Sequence, residues 1–402
     1  MHRPPSPELL VVPGVSAVAV VHAAGHDADT LWDAVVRGCS GLHPNRLAWC
    51  GLDCWIGEVP GLDEVRLPAP LAAWDCRNHR LAWLALQDRA FRQAVAAAAT
   101  RYGSHRIGVL LGTSTSGIRS TEIAHAQHLQ TGHWPAGFAY RRSHAVESLS
   151  RFTAEVLGLQ GPMATVSTAC SSSAKVFLTA QRWMAAGLID AAVVGGVDSL
   201  CLSTLHGFDA LQLLSAEPCR PFDAARNGIS VGEAGGFVLL DRAPAPLALL
   251  GGGESSDAWH MSTPHPEGRG AQDAMHEALA VAGLTPSDIG YVNAHGTATP
   301  SNDRAEGLAL QAVFGAGAVP VSSSKAVTGH TLGAAGVVEA IVALKAIEHR
   351  IVPPTTNLRS ADPGLALDLP LKARAAAGMR YAMSNNFGFG GSNCSLIFGR
   401  TQ

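Results

Sequence analysis

Two short runs, Arg106–Gly112 (RIGVLLG) and Ala191–Gly196 (AAVVGG), are apolar almost throughout rather than at every second position. A strand with one wet face alternates; a continuously apolar strand is buried on both faces, so its sheet needs helices on both sides. Phe237–Asp241 and Tyr291–Ala294 repeat the pattern, and Leu9–Val21 reads as a first buried strand. Between these runs, Asp29–Arg37, Arg80–Ala98 and Ala271–Ala282 space their apolar residues by three and four, as amphipathic helices do. The alternation predicts an α/β architecture. Charged residues are only 15% of the 402-residue chain, against about 25% in an ordinary soluble protein. A large core and a buried subunit seam are therefore expected.

Several function classes fall away. Lys plus Arg number 29 and Asp plus Glu 32, a net charge of −3 with no basic run, which argues against nucleic acid. No stretch reaches the ~18 uninterrupted apolar residues of a membrane span. The longest, Leu332–Ile347, carries Glu339 and Lys345. A signal peptide within Met1–Gly25 is opposed by Glu8 and Pro13. The eight cysteines are scattered without a CxxC pair, which points to a reducing, cytoplasmic setting. The Pro-rich piece Asp241–Pro246 (DRAPAP) reads as a junction between two halves.

Four segments carry chemistry. In Ala164–Ser173 (ATVSTACSSS), a β-rich stretch runs into Cys170, and helical spacing follows to Ala186, with Gly187 as a C-terminal cap. A cysteine at a helix N-terminus is expected to have its thiol lowered from the free value near 8.5, as a nucleophile needs; a small residue packed under a helix is the alternative. In Tyr291–Asp303 (YVNAHGTATPSND), His295 sits in a Gly/Thr-rich turn at a strand end, aimed into a cleft or satisfied as an ordinary polar residue. In Val321–Glu339 (VSSSKAVTGHTLGAAGVVE), Lys325, His330 and Glu339 form a structural ion pair or a network that holds histidine tautomers. In Tyr381–Cys394 (YAMSNNFGFGGSNC), Gly388, Gly390 and Gly391 free backbone N–H groups to face a ligand, as in an oxyanion hole. A phosphate loop is disfavoured, because no helix, lysine or GxGxxG spacing follows.

Together, TACSSS, NAHGTATPSND, SSSKAVTGHTLGAAGVVE and SNNFGFGGSN, in that order, resemble the β-ketoacyl-acyl-carrier-protein synthases, specifically the elongating condensing enzymes of the synthase I/II type. The resemblance runs over nearly the whole length. It implies the thiolase-like fold: two similar αβ halves in five layers, αβαβα, with the nucleophile in residues 1–245 and the histidines and glycine gate in 246–402. The implied reaction is a decarboxylative Claisen condensation of malonyl-carrier with an acyl chain held on Cys170. His295 and His330 would complete a Cys-His-His triad, and Lys325 and Glu339 would form a charge pair that orients it. The N–H groups of Cys170 and Phe389 would form the oxyanion hole, with Phe389, Gly388 and Gly390 as gate. Thr297 and Thr299 would bind the pantetheine arm, Phe208 would line the acyl pocket, and Asp303 and Glu306 would join the network and count with them among the substrate-binding residues.

No cofactor is implied, since substrates ride on the phosphopantetheine of acyl carrier protein; Glu339, Ser384 and Asn385 match a monovalent-cation site of some members. The implied partners are acyl carrier protein and a second ketosynthase-like chain, identical or not, with no nucleic acid and no membrane. Arg77, Arg80, Arg141 and Arg142 are candidates for meeting an acidic carrier. A non-catalytic chain-length-factor-like subunit would lack Cys170. A thiolase would carry its second cysteine in a CxG context, whereas Cys394 lies in SNCSL. A priming synthase would have Asn in place of His330. The segment after Leu240 is shorter than the family's, and Ala48–Trp83 is unusually rich in Trp and Cys.

Overall fold

The computed structural model describes residues 11–401. Leu9 and Leu10 of the expected first strand, and Glu8 of the N-terminal stretch, lie outside them. The main strands are β1 (Gly14–Val21), β2 (Ile107–Gly112), β3 (Met163–Val166), β4 (Ala191–Asp198), β5 (Ala234–Asp241), β6 (Leu247–Ser256), β7 (Ile289–Asn293), β8 (Val321–Ser322), β9 (Tyr381–Gly388) and β10 (Ser392–Arg400). The helices that cover them are α1 (Arg77–Ala85), α2 (Arg89–Tyr102), α3 (Ser148–Leu157), α4 (Ser172–Ala185), α5 (Arg269–Ala282), α6 (Pro300–Phe314) and α7 (Ala335–His349).

The topology is duplicated. In the first half the order across the sheet is β3-β2-β4-β5-β1; in the second it is β8-β7-β9-β10-β6. Each half thus places its third, second, fourth, fifth and first strands in turn. The first three of each sheet are mutually parallel and the last two join antiparallel. The two sheets meet edge to edge at one pair, Gly14 opposite Ala248, which closes a ten-stranded ladder.

Both sheet faces are dry, as the unbroken apolar runs require. Along β5, Val238 and Leu240 point into a central layer built on α4 and α7, while Phe237 and Leu239 point outward to α1, α2 and α3. In the second half, Ala382 faces α7 and Met383 faces outward to α5 and α6. The layers run helix, sheet, helix, sheet, helix, the αβαβα order implied by the resemblance. The expected helix over Arg80–Ala98 is two helices instead. The chain breaks after Ala85, and the Asp88 carboxylate accepts from Phe91 N at 2.8 Å, starting α2.

The central helices touch through small residues. A Cβ on Gly336 would lie 2.4 Å from Ala174 N, and Val337 N donates to Ser173 Oγ at 3.0 Å. Gly336→Val is expected to force α4 and α7 apart and cost ~1–3 kcal/mol. Urea unfolding measures it; an unchanged midpoint would mean that the layer has slack to absorb the side chain.

Candidate active site

Cys170 sits on a knotted elbow between β3 and α4. Ala169 takes φ +51°, a left-handed conformation that a side chain seldom adopts. The serines after the cysteine hold that turn: Ser172 Oγ accepts from Thr168 N at 2.9 Å and donates to Ala169 O at 2.6 Å, and Ser171 Oγ donates to Thr168 O at 2.9 Å. Cys170 Sγ lies 3.0 Å from His330 Nε2. The expected lowering of the thiol is not what the surroundings produce. Burial pushes Cys170 up to about 12, and Lys325 and the Phe389 N–H pull it back only in part. The cysteine rests as a thiol beside a proton acceptor.

His295 and His330 approach edge to face, 5.2 Å between ring centroids. Burial first, then the Lys325 charge, holds both well below the ordinary imidazole value, so both are neutral at pH 7. Lys325 is buried and donates from Nζ to Glu339 Oε1 and to His295 O, with His295 Nδ1 3.2 Å away. An ammonium has no acceptor. His295 Nδ1 must therefore accept, and the ring's proton sits on Nε2. His330 Nδ1 has no partner among the described residues, so only the Cys170 thiol at Nε2 bears on that ring's tautomer. Burial pushes the Glu339 carboxyl up to about 7, against the pull of Lys325 and Asn386.

These groups open on a cleft of about 580 Å³, mouth included, lined by Cys170, His295, His330, Thr297, Thr299, Phe208 and the turn Gly388–Gly391. Phe208 packs on Phe389 at 5.6 Å. A Cβ on Gly388 would lie 3.0 Å from Thr168 O and 3.2 Å from Cys170 N, so the turn rests directly on the elbow. Asp303 and Glu306, expected among substrate contacts, do not line the cleft. Glu306 accepts from His295 N at 2.8 Å and Gly296 N at 2.7 Å, and Asp303 accepts from Ala298 N at 3.1 Å; both brace the histidine loop from behind.

Asn385 does not reach Glu339. Strand alternation turns it to the outer layer, where its amide meets Met275 Sδ and its oxygen accepts from Ser395 Oγ. Asn386 takes that place, with Nδ2 2.5 Å from Glu339 Oε2. Among the described residues the buried oxygens of Ser384, Asn293 and Asn386 have no partner, and the Nδ2 groups of Asn293 and Asn386 reach Glu339; neutral oxygens of this kind are what a monovalent cation would take. A transition metal on the triad is a different matter. The ligating atoms of Cys170, His295 and His330 lie within 4.8 Å of one another, but behind His295 stands an ammonium where a metal-bound imidazole would want an acceptor.

Arg77 is not a surface group. Its guanidinium, 9% exposed, forks onto buried Glu233 at 2.7 Å and also reaches Glu58 and Asp63. Arg80 pairs with Asp75 at 2.6 Å, while Arg141 and Arg142 remain exposed. Cys394 is fully buried within β10, away from the cleft. Sequence reading missed Asp257–Pro264 (DAWHMSTP), from which Asp257, His260 and Ser262–Pro264 line the cleft. Met261 O accepts from Gly390 N at 2.8 Å, and Asp257 N donates to Gly391 O at 2.9 Å, so this segment pins the glycine turn. Its one signal was a crowding of Trp, His and Met where a solvated loop would be polar.

The chain matches a β-ketoacyl synthase N-terminal domain over residues 77–245 and a β-ketoacyl synthase C-terminal domain over residues 248–359. It is 39% identical to 3-oxoacyl-acyl-carrier-protein synthase 2 of Vibrio cholerae, covering 73% of this chain and 76% of that one. It is 30% identical to the synthase 2 of Staphylococcus aureus, covering 97% of each. Among solved structures it resembles a ketosynthase in complex with its chain length factor from Xenorhabdus doucetiae, with a TM-score of 0.88, 39% identity and full coverage of both chains.

Because the folded thiol stands at about 12, its thiolate fraction keeps rising with pH beyond the ordinary thiol range. Alkylation of Cys170 by iodoacetamide, followed by peptide mass, is expected to accelerate without levelling up to pH ~10. A plateau near neutrality would mean that the helix terminus outweighs burial.

Proposed function

The chain belongs to the β-ketoacyl synthase family, and from that premise we propose how its cleft carries out the condensation. It is an acyltransferase, an elongating 3-oxoacyl-acyl-carrier-protein synthase of fatty-acid or polyketide biosynthesis. The carrying observation is the pairing of Cys170 Sγ with His330 Nε2 at 3.0 Å, beside a histidine whose tautomer Lys325 dictates.

In the first half-reaction His330 Nε2 accepts the thiol proton as Cys170 attacks the acyl thioester. The carbonyl oxygen becomes an oxyanion facing the N–H groups of Cys170 and Phe389; the carrier thiolate leaves with the proton that His330 took, and the acyl chain rests on Cys170. The malonyl thioester then enters. Its carboxylate departs as carbon dioxide, leaving an enolate whose oxygen receives hydrogen bonds from Nε2–H of His295 and of His330. The enolate carbon attacks the Cys170 thioester, expels the Cys170 thiolate, which takes up a proton from solvent to restore the resting thiol, and yields the 3-oxoacyl thioester on the carrier. His295 is preset for its part; His330, unpinned at Nδ1, can accept in one half-reaction and donate in the other.

Thr297 and Thr299, hydrogen-bonded to each other at 3.0 Å in the cleft wall, are positioned for the pantetheine amides. Phe208, Leu213 and Ile229 supply apolar wall for the acyl chain. A monovalent cation held by Ser384, Asn293 and Asn386 would supply positive charge beside Glu339 and enters no step. All eight cysteines are free thiols, which supports a reducing, cytoplasmic setting. Among the described residues no helix is long and apolar enough to cross a membrane.

The partners are acyl carrier protein and a ketosynthase-like subunit, for which we favour a non-identical chain. The full-length likeness to a ketosynthase solved with its chain length factor supports that preference. A second chain of either kind has the outer edge of β3 to pair with, where Met163 is exposed.

Incubated with an acyl carrier, the protein is expected to gain the acyl mass on Cys170, and Cys170→Ala to gain none. His295→Ala is expected to keep the adduct yet lose condensation by roughly 10²–10³-fold in kcat. An adduct that survives Cys170→Ala, or full condensation in His295→Ala, would sink the assignment.

A further inference from the structure

We propose that Asp198 is a positioning residue for the condensation, its carboxylate tying the turn that follows His330 to the half that carries Cys170. The inference rests on the reading of the cleft given above. Asp198 closes β4, is fully buried and does not line the cleft. No Lys or Arg pairs with it among the described residues, and every donor that reaches it is neutral.

Oδ1 accepts from Thr113 Oγ1 at 2.6 Å and from Thr115 N and Oγ1, each at 2.9 Å. Ser114 N reaches both oxygens, at 2.9 and 3.0 Å, and Ser114 Oγ donates to Oδ2. All these belong to the loop after β2, in the first half. The remaining donor comes from the second half: Gly333 N lies 2.6 Å from Oδ2.

Gly333 is three residues beyond His330, in a turn where Leu332 takes φ +55°. A Cβ on Gly333 would lie 2.7 Å from Asp198 Oδ2 and 2.8 Å from Ser114 N, so only glycine lets the turn come this close. On its other side His330 is fixed by its own backbone: His330 N donates to Ser230 O at 2.7 Å, and Gly232 N donates to His330 O at 2.9 Å. The imidazole is thus carried on a short span clamped at both ends, and Asp198 is the clamp that faces the nucleophile's half. An amide in its place would have to turn its NH₂ towards Gly333 N or towards the Thr113–Thr115 donors, so a donor would meet a donor.

Asp198→Asn is expected to lower kcat for condensation roughly 10–100-fold, with KM for the malonyl carrier unchanged, because a small misplacement of a reacting group suffices for that loss. Gly333→Ala, which keeps the carboxylate but pushes the turn off it, should reproduce the loss. The double variant should be no worse than either single one. Unchanged kcat in Asp198→Asn, or losses that add in the double variant, would overturn the proposal in favour of a purely structural role. Should Asp198→Asn fail to fold, Gly333→Ala decides: wild-type kcat there overturns the proposal equally. A wild-type protein that neither acylates nor condenses would instead overturn the ketosynthase mechanism itself.

Discussion

A buried ammonium governs the site. Lys325 is cut off from water, so its charge must be answered by groups already in place. Glu339 on α7 supplies the countercharge, and the carbonyl and Nδ1 of His295 take further hydrogen-bonding directions. Each answer constrains another element. Glu339 is steadied by Asn386 on β9, and His295 is held from behind by Glu306 on α6. Taking away the ammonium would leave a carboxylate buried without its partner and a histidine free to choose its tautomer. The charge pair is therefore less a source of stability than a way of specifying one arrangement among several.

That arrangement works because the thiol and the imidazoles arrive from different halves. Cys170 comes from the β3–α4 elbow; His295 and His330 come from loops after β7 and β8. The close approach of α4 and α7, made possible by Gly336 against Ala174, brings the two contributions together. The glycine turn after β9 then covers them, held in turn by the backbone of Asp257 and Met261.

What could be read without coordinates was whatever periodicity or close motif spacing encodes. Strands dry on both faces, the strand-to-helix handover at Cys170 and the glycine turn at 388–391 all showed themselves that way. Other features depended on partners distant in the chain. Nothing around Arg77 announces that Glu233 lies across from it, so a buried clamp resembled a surface cation. Asn385 and Asn386 are neighbours in sequence, and only the pleat decides which faces Glu339. The break at Asp88 was legible in principle, since an aspartate can cap, but the surrounding apolar spacing masked it. The thiol's basicity depended on how completely the elbow is covered, a property of the assembled layers that the helix terminus alone did not reveal.

The repeated strand order carries a consequence of its own. Cys170 follows the third strand of its half and precedes the inner helix; His330 follows the third strand of its half and precedes the other inner helix. The nucleophile and its proton acceptor thus occupy the same slot in two copies of one plan and meet where the copies face each other. Two identical copies could bring two thiols together there, or two imidazoles, but never one of each. A thiol opposite an imidazole at 3.0 Å needs copies that have grown unlike, and a single chain containing both guarantees that every molecule holds one of each kind.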